Sequence, residues 1–201
     1  MKRVFLDNEK HGQIDDDGGT LMATYIALLR GINVGGNRKI LMADLRQMCV
    51  SLGLRGVATY VQSGNVVFDS DDGDAAAVAA WLEGAIAAMT GFEVAVVVRT
   101  SADLARILAQ EPYPHGEPKF VHVLFLREEG EETAVSNFTP PPGSDDEYRI
   151  DGREIYIHYP NGAGRSKLTG NYFERKLGVV GTARNWRTVQ ALLALAEKAE
   201  R

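Results

Sequence analysis

Residues 24–70 read TYIALLRGINVGGNRKILMADLRQMCVSLGLRGVATYVQSGNVVFDS, and their pattern predicts the first elements of the fold. Residues 24–29 form a short apolar run, which predicts a buried strand. Apolar side chains then recur at i, i+3, i+4 and i+7, which predicts a helix over residues 42–52. Residues 56–61 and 65–69 predict two strands joined by a tight turn. The order of elements is therefore β-α-β-β.

The next stretch completes a compact unit. Asp74 predicts the N-cap of a long helix, and Gly91 predicts its end. The buried face of this helix is predicted to hold Val78, Trp81, Leu82, Ala85, Ile86 and Met89. Residues 93–99 predict a strand, and residues 100–109 predict a closing helix. The order β-α-β-β-α-β is that of a ferredoxin-like split β-α-β unit.

The second half of the sequence can be written in the same order. Three prolines in residues 111–118 predict a boundary between the halves. After the boundary we predict a strand at residues 119–126, a short helix at 128–137 and a hairpin at 148–159. A helix at 166–177, a strand at 179–182 and a last helix at 185–198 are predicted to follow. The fold class predicted is α+β, with two ferredoxin-like subdomains in a pseudo-duplicated arrangement. They are expected at residues 22–111 and 119–201, the second with a C-terminal helix, after a flexible extension at residues 1–21.

The composition excludes several classes of protein. The chain has 201 residues, of which 45% are hydrophobic, so it is an ordinary globular chain. No apolar run reaches the roughly 18 residues that a membrane-spanning helix requires. Cys49 is the single cysteine, and it and the four histidines lack metal-ligand spacing. We expect a cytoplasmic protein with no membrane segment and no metal site.

The net charge of −5 is distributed unevenly along the chain. Residues 71–144 hold 4 basic and 12 acidic side chains, whereas residues 22–70 hold 5 basic and 2 acidic ones. Residues 145–201 are also basic, with 10 basic and 8 acidic side chains. The acidic centre argues against a broad nucleic-acid surface. The two basic segments are compatible with a small, local anion site.

Each basic segment carries a glycine-rich loop. In the predicted topology the first two strands run parallel, so the loop at residues 30–39 and the turn at residues 62–65 emerge at the same end of the sheet. Glycines allow a backbone to approach a ligand closely, and basic side chains beside them favour an anion. The predicted ligand-binding residues here are Arg30, Asn33, Gly35, Gly36, Lys39, Gln62, Ser63, Gly64 and Asn65. The alternative is that the glycines only shape a tight connection between a strand and a helix.

The second glycine-rich loop, at residues 162–167, precedes a predicted helix that Ser166 would cap. Thr182 is the expected cap of the last helix, which leaves two polar residues after it without a structural role. The predicted ligand-binding residues in this half are Arg165, Ser166, Lys167, Arg184 and Asn185. Whether the two halves form one site or two is left open.

The motifs together resemble one family. RGINVGG at residues 30–36 and QSGNVVF at residues 62–68, with GRSK at 164–167 and TARNWRT at 182–188, are similar to the DUF1697 family of bacterial proteins. The resemblance extends from residue 22 to the C-terminus, although Leu41 stands where the family often has proline. It implies paired ferredoxin-like subdomains. The family has no established activity, so the resemblance leaves the function of this chain open.

Three functions remain as alternatives. The first is binding of a small anionic, phosphate-bearing ligand at the RGINVGG loop and the QSGN turn. The second is a structural or protein-interaction module without a ligand. The third is RNA or single-stranded DNA binding through the sheet, with Tyr25 and Phe68 as the stacking residues. No general base is identifiable in the sequence, so the catalytic residues and the reaction stay open. The cofactor and the oligomeric state also stay open.

Overall fold

The computed structural model describes residues 22–71 and 73–199, so the expected extension at residues 1–21 lies outside the described residues. The strands are β1 (Ala23–Leu29), β2 (Arg55–Thr59), β3 (Asn65–Ser70), β4 (Val96–Thr100), β5 (Val121–Leu126), β6 (Glu147–Asp151), β7 (Glu154–His158) and β8 (Gly181–Asn185). The helices are α1 (Met42–Ser51), α2 (Ala75–Thr90), α3 (Ser101–Gln110), α4 (Glu132–Ser136), α5 (Gly170–Leu177) and α6 (Trp186–Ala199), with a short 3₁₀ turn at Ala163–Arg165.

The strands form two four-stranded antiparallel sheets, in the orders β2-β3-β1-β4 and β6-β7-β5-β8. Each sheet is built from the series β-α-β-β-α-β, and a further helix follows each series, α3 in one case and α6 in the other. The predicted α+β fold with two ferredoxin-like units is therefore confirmed.

Successive side chains along a strand point to opposite faces of its sheet, and this alternation explains how the two units pack against each other. In β1, Tyr25 and Ala27 face a core formed with α1 and α2. Ile26 and Leu28 point the opposite way, into a central core that contains α3, α6 and the inner face of the second sheet. Leu124 of β5 lies in a third core, with α5. The helices α3 and α6 therefore lie between the two sheets.

This layering bears on nucleic-acid binding. Tyr25 and Phe68 are buried and their rings stack on each other in the core beneath α1 and α2. The other face of the same strands is covered by α6. The expected route for RNA, stacking on these two aromatic rings across an open sheet, is therefore wrong.

Several element boundaries differ from those expected. Helix α5 begins after Thr169, whose hydroxyl accepts the Tyr172 N–H at 3.2 Å, so Ser166 is not its cap. Thr182 lies within β8 rather than at a helix start, because the strand extends to Asn185. Asn185 is itself the cap of α6, since its side-chain oxygen accepts the Thr188 N–H at 2.9 Å.

Helix α2 has the expected caps and a narrower buried face than expected. The Asp74 side chain accepts the Ala76 N–H at 2.8 Å, and Gly91 ends the helix with φ 78°. Trp81 is 43% exposed and Met89 is 39% exposed, because the buried stripe is centred on Val78, Ala79, Leu82 and Ile86. None of the described helices combines the length and the apolar character needed to cross a membrane.

Candidate functional site

The RGINVGG loop and the QSGN turn lie side by side, as the topology predicts. Asn33 joins them: its side-chain N–H groups donate to the Gln62 carbonyl at 2.8 Å and to the Ile40 carbonyl at 3.0 Å. Its side-chain oxygen accepts the Ile40 N–H at 2.9 Å. The Asn33 amide therefore closes the loop and fixes it to the turn, a structural role rather than a ligand contact.

The tip of the loop is open to solvent. Gly35 and Gly36 have φ of 59° and 80°, and a small bridge between Val34 and Asn37 closes the turn around them. A Cβ atom at either glycine would have no neighbour within 4 Å. Lys39 is also exposed. These backbone and side-chain groups are accessible to a ligand. We call the exposed residues 34–39 and 62–63 the loop–turn surface.

Gly64 has a packing role in the turn. Its φ is 76°, and a Cβ atom there would lie 2.7 Å from Ile32 Cδ1 and 2.8 Å from Leu29 Cβ. The Gly64 carbonyl accepts the Leu29 N–H at 2.8 Å, which holds the turn against the end of β1. Only glycine fits both the left-handed backbone and the close approach.

Arg184 lies buried beneath this turn, and its acceptors within the described part of the chain are all neutral. Its guanidinium donates to the Leu29 carbonyl at 2.8 Å, the Gly64 carbonyl at 3.0 Å and the Ser63 carbonyl at 3.1 Å. Further hydrogen bonds go to the side-chain oxygen of Asn65 and, from Nη1, to Thr182 Oγ1 and the Ala183 carbonyl, both at 2.8 Å. Arg184 therefore links the second half to the turn, and it does not reach solvent as a ligand contact would require.

Burial has a clear electrostatic effect on Arg184. Desolvation lowers the pKa of the guanidinium to about 10, so the side chain remains positively charged at neutral pH. Within the described residues it forms no ion pair with a carboxylate. The charge is therefore solvated by neutral carbonyl and hydroxyl dipoles, and its field extends to the neighbouring loop–turn surface.

Arg30 is engaged in an ion pair. Its Nε and Nη2 donate to the two carboxylate oxygens of Glu174 at 2.7 and 2.6 Å, and Nη2 also donates to the side-chain oxygen of Asn171 at 3.1 Å. Its pKa is raised, chiefly by the hydrogen bond to Glu174. Arg30 was predicted to bind a ligand through its positive charge; in the structure Glu174 of the other half compensates that charge.

The second-half candidates also divide into internal and exposed groups. Ser166 donates to a carboxylate oxygen of Asp146 at 2.6 Å and accepts the Leu168 N–H at 2.8 Å, so its hydroxyl shapes the loop. Asn185 is a helix cap, as described above. Arg165 and Lys167 are exposed on the same loop. Of this group, these two basic side chains are the ones accessible to a ligand.

The carboxylate and amide partners of the buried and half-buried arginines were not predicted from the sequence. Glu174 and Asn171 on α5 hold Arg30, and Glu154 on β7 holds Arg99 through a 2.9 Å ion pair. A signal for the pairing of Arg30 existed in the proposed duplication, because Arg30 and Arg127 directly follow the matching strands β1 and β5. Within residues 22–71 and 73–199, no cluster of three or more His, Cys, Asp or Glu side chains could hold a metal ion.

The fold and the repeated order of its elements define an α+β protein of two ferredoxin-like units joined by arginine contacts. The chain belongs to the DUF1697 family: the profile described as "Protein of unknown function (DUF1697)" matches residues 22–156. No curated protein matches the chain. A similar solved structure is that of the conserved bacterial protein SP0830 from Streptococcus pneumoniae, with 26% identity and a TM-score of 0.67 over 88% of this chain and 99% of that one.

Proposed function

We propose that the protein binds a small phosphate-bearing anion on the loop–turn surface. The observation that carries this proposal is the buried, uncompensated charge of Arg184 directly beneath the turn. A cation held in a low-dielectric interior, without a carboxylate partner, attracts an anion to the nearest exposed surface more strongly than a solvated cation does.

The exposed groups of this surface suit a phosphate. Gly35 and Gly36 present backbone without side chains, which allows the close approach that phosphate-binding loops use. Lys39 offers a charge-assisted hydrogen bond, and Gln62 and Ser63 offer neutral polar groups. Arg184 acts here as a positioning residue and a source of field, since it touches the turn and not the ligand.

Two positive φ values support a role beyond loop closure. Arg38 and Val61 adopt φ of 48° and 47°, and they lie in the loop and beside the turn. Such conformations are unfavourable for residues other than glycine, above all for β-branched valine. Strain of this kind concentrates where a protein holds a surface in a defined shape for binding.

Calorimetric titration with inorganic pyrophosphate tests the proposal. We expect wild-type protein to bind, and Lys39→Gln to weaken binding by roughly tenfold or more, because one charge-assisted hydrogen bond is lost. Lys198→Gln is the matched control, since Lys198 is an exposed lysine on α6. Equal affinity of the Lys39 and Lys198 variants, or no binding to wild type, would refute the proposal.

One observation favours the alternative of a structural or interaction module. Seven predicted side chains form internal hydrogen bonds or ion pairs, namely those of Arg30, Asn33, Ser63, Asn65, Ser166, Arg184 and Asn185. If wild-type protein binds no phosphate-bearing probe, while variants of these seven still lower the melting temperature, the motifs serve the fold alone.

A further inference from the structure

The two halves repeat each other in their contacts as well as in their element order. At the end of β1, the backbone N–H of Leu29 donates to the Gly64 carbonyl and that of Arg30 to the Ala95 carbonyl. At the end of β5, the backbone N–H of Leu126 donates to the Arg153 carbonyl and that of Arg127 to the Val180 carbonyl. Each of these four hydrogen bonds measures 2.8 or 2.9 Å. The turn at Gly64 therefore corresponds to the turn at Arg153, and Arg30 corresponds to Arg127.

The side chains follow the same relation. Arg30 pairs with Glu174 on α5 of the second half, and Arg127 pairs with Glu83 on α2 of the first half. Each glutamate also accepts a backbone N–H from the start of an edge strand, that of Gly181 or Val96, at 2.8 Å. The candidate surface in the first half therefore has a counterpart around Arg127.

The counterpart differs at one position that decides its shape. Three residues before Glu174, Asn171 occupies the space beside Arg30 and hydrogen-bonds to it. Three residues before Glu83 stands Ala80, whose methyl group leaves that space empty. A cavity of about 210 Å³ lies here, bounded by α2, β4 and the β6–β7 turn, and we call it the interface cavity.

The walls of the interface cavity are mostly apolar and its charges are unbalanced. Alanine side chains of α2 and valine side chains of β4 form the walls, and Arg99, Arg127, Arg153 and Glu83 supply the charged groups. Arg99 is compensated by Glu154 and Arg127 by Glu83. Within the described residues Arg153 forms no ion pair. One guanidinium at this cavity thus lacks a counter-charge.

We propose that the interface cavity binds a short aliphatic carboxylate. Its carboxylate group would pair with Arg153, whose planar guanidinium suits a bidentate contact with two oxygens. Its aliphatic chain would lie between Ala76, Ala79 and Val97, where it is removed from water. The volume suits a molecule of a few carbon atoms, which distinguishes this ligand from the phosphate-bearing one proposed for the loop–turn surface.

Titration with butyrate, followed by amide NMR, tests this inference. For a ligand of this size we expect a dissociation constant on the order of 1 mM, with the largest shifts at the amides of Val97 and Val98. Arg153→Gln should weaken binding tenfold or more, and neutral butyramide should bind wild type at least tenfold more weakly than butyrate.

Two substitutions of alanine by leucine on α2 distinguish the loss of the cavity from a general effect of adding a leucine to this helix. Ala80→Leu places a side chain into the cavity from its rim, so butyrate binding should be lost. Ala77→Leu introduces the same exposed residue on the same helix away from the cavity lining, so binding should be retained. Leucine favours helices, and both variants should fold.

Two results would overturn the inference. One is the absence of butyrate-induced shifts at β4 in wild type, and the other is unchanged butyrate affinity in both Arg153→Gln and Ala80→Leu. Pyrophosphate binding in the same samples reports on the loop–turn surface separately, because neither substitution lies in residues 34–39 or 62–63. The two proposals therefore fail independently.

Discussion

Replacing Arg184 by methionine should destabilise the fold by about 3 kcal/mol. Four of its hydrogen bonds are fully buried, those to Asn65, Thr182, Leu29 and Gly64. At about 1.5 kcal/mol for each hydrogen bond from a charged donor, they contribute roughly 6 kcal/mol. Removing a desolvated charge recovers about half of that, because burial of the guanidinium is itself unfavourable.

Urea unfolding at neutral pH measures this loss. In a fold of this size, about 3 kcal/mol corresponds to a fall of roughly 6–12 °C in melting temperature. Arg187→Met is the matched control, because Arg187 is exposed on the neighbouring turn of α6. Arg184→Lys should recover less than half of the loss, since an ammonium group lacks the planar fork that reaches separate acceptors. An Arg184→Met variant within about 1 kcal/mol of wild type would refute this reasoning.

Three further predictions concern single side chains. Gly64→Ala should cost about 3 kcal/mol through overlap with its neighbours and positive φ, whereas Gly35→Ala, with φ alone, should cost about 1 kcal/mol; thermal unfolding of both compares them. Glu154→Gln should lower the free energy of unfolding by about 3 kcal/mol in urea, because it removes the carboxylate that pairs with the buried Arg99. Tyr156→Phe should leave stability at pH 7 unchanged or higher, since within the described residues its buried hydroxyl makes no hydrogen bond. Burial raises the pKa of Tyr156 to about 12, so the folded state holds the phenol proton more tightly than the unfolded state, whose phenol pKa is near 10. Stability should therefore fall as the pH rises above about 10, and less so in Tyr156→Phe; an equal fall in both proteins would contradict this.

Local patterns were sufficient to predict most elements of the fold. The apolar run of β1, the cap at Asp74 and the stop at Gly91 each act within a few residues, so they appear in the sequence as they do in the structure. The parallel arrangement of β1 and β2 was enough to bring the loop of Asn33 beside the turn of Gln62. Boundaries failed where a long-range contact decided them, as in β8, which extends to Asn185 by pairing with β5.

The candidate site was harder to predict because side-chain partners come from distant segments. Arg30 and Glu174 are 144 residues apart, and Arg184 and Asn65 are 119 apart. A basic residue beside a glycine loop has the same local pattern whether it binds a ligand or an internal carboxylate. Only the packing of one half against the other distinguishes the compensated Arg30 from the exposed Lys39.

Amide NMR of wild-type protein during titration with pyrophosphate is the most direct test of anion binding at the loop–turn surface. We expect saturable shifts at Gly35, Gly36 and Ser63. Shifts confined to other parts of the protein, or no saturable shift at all, would contradict the proposed function.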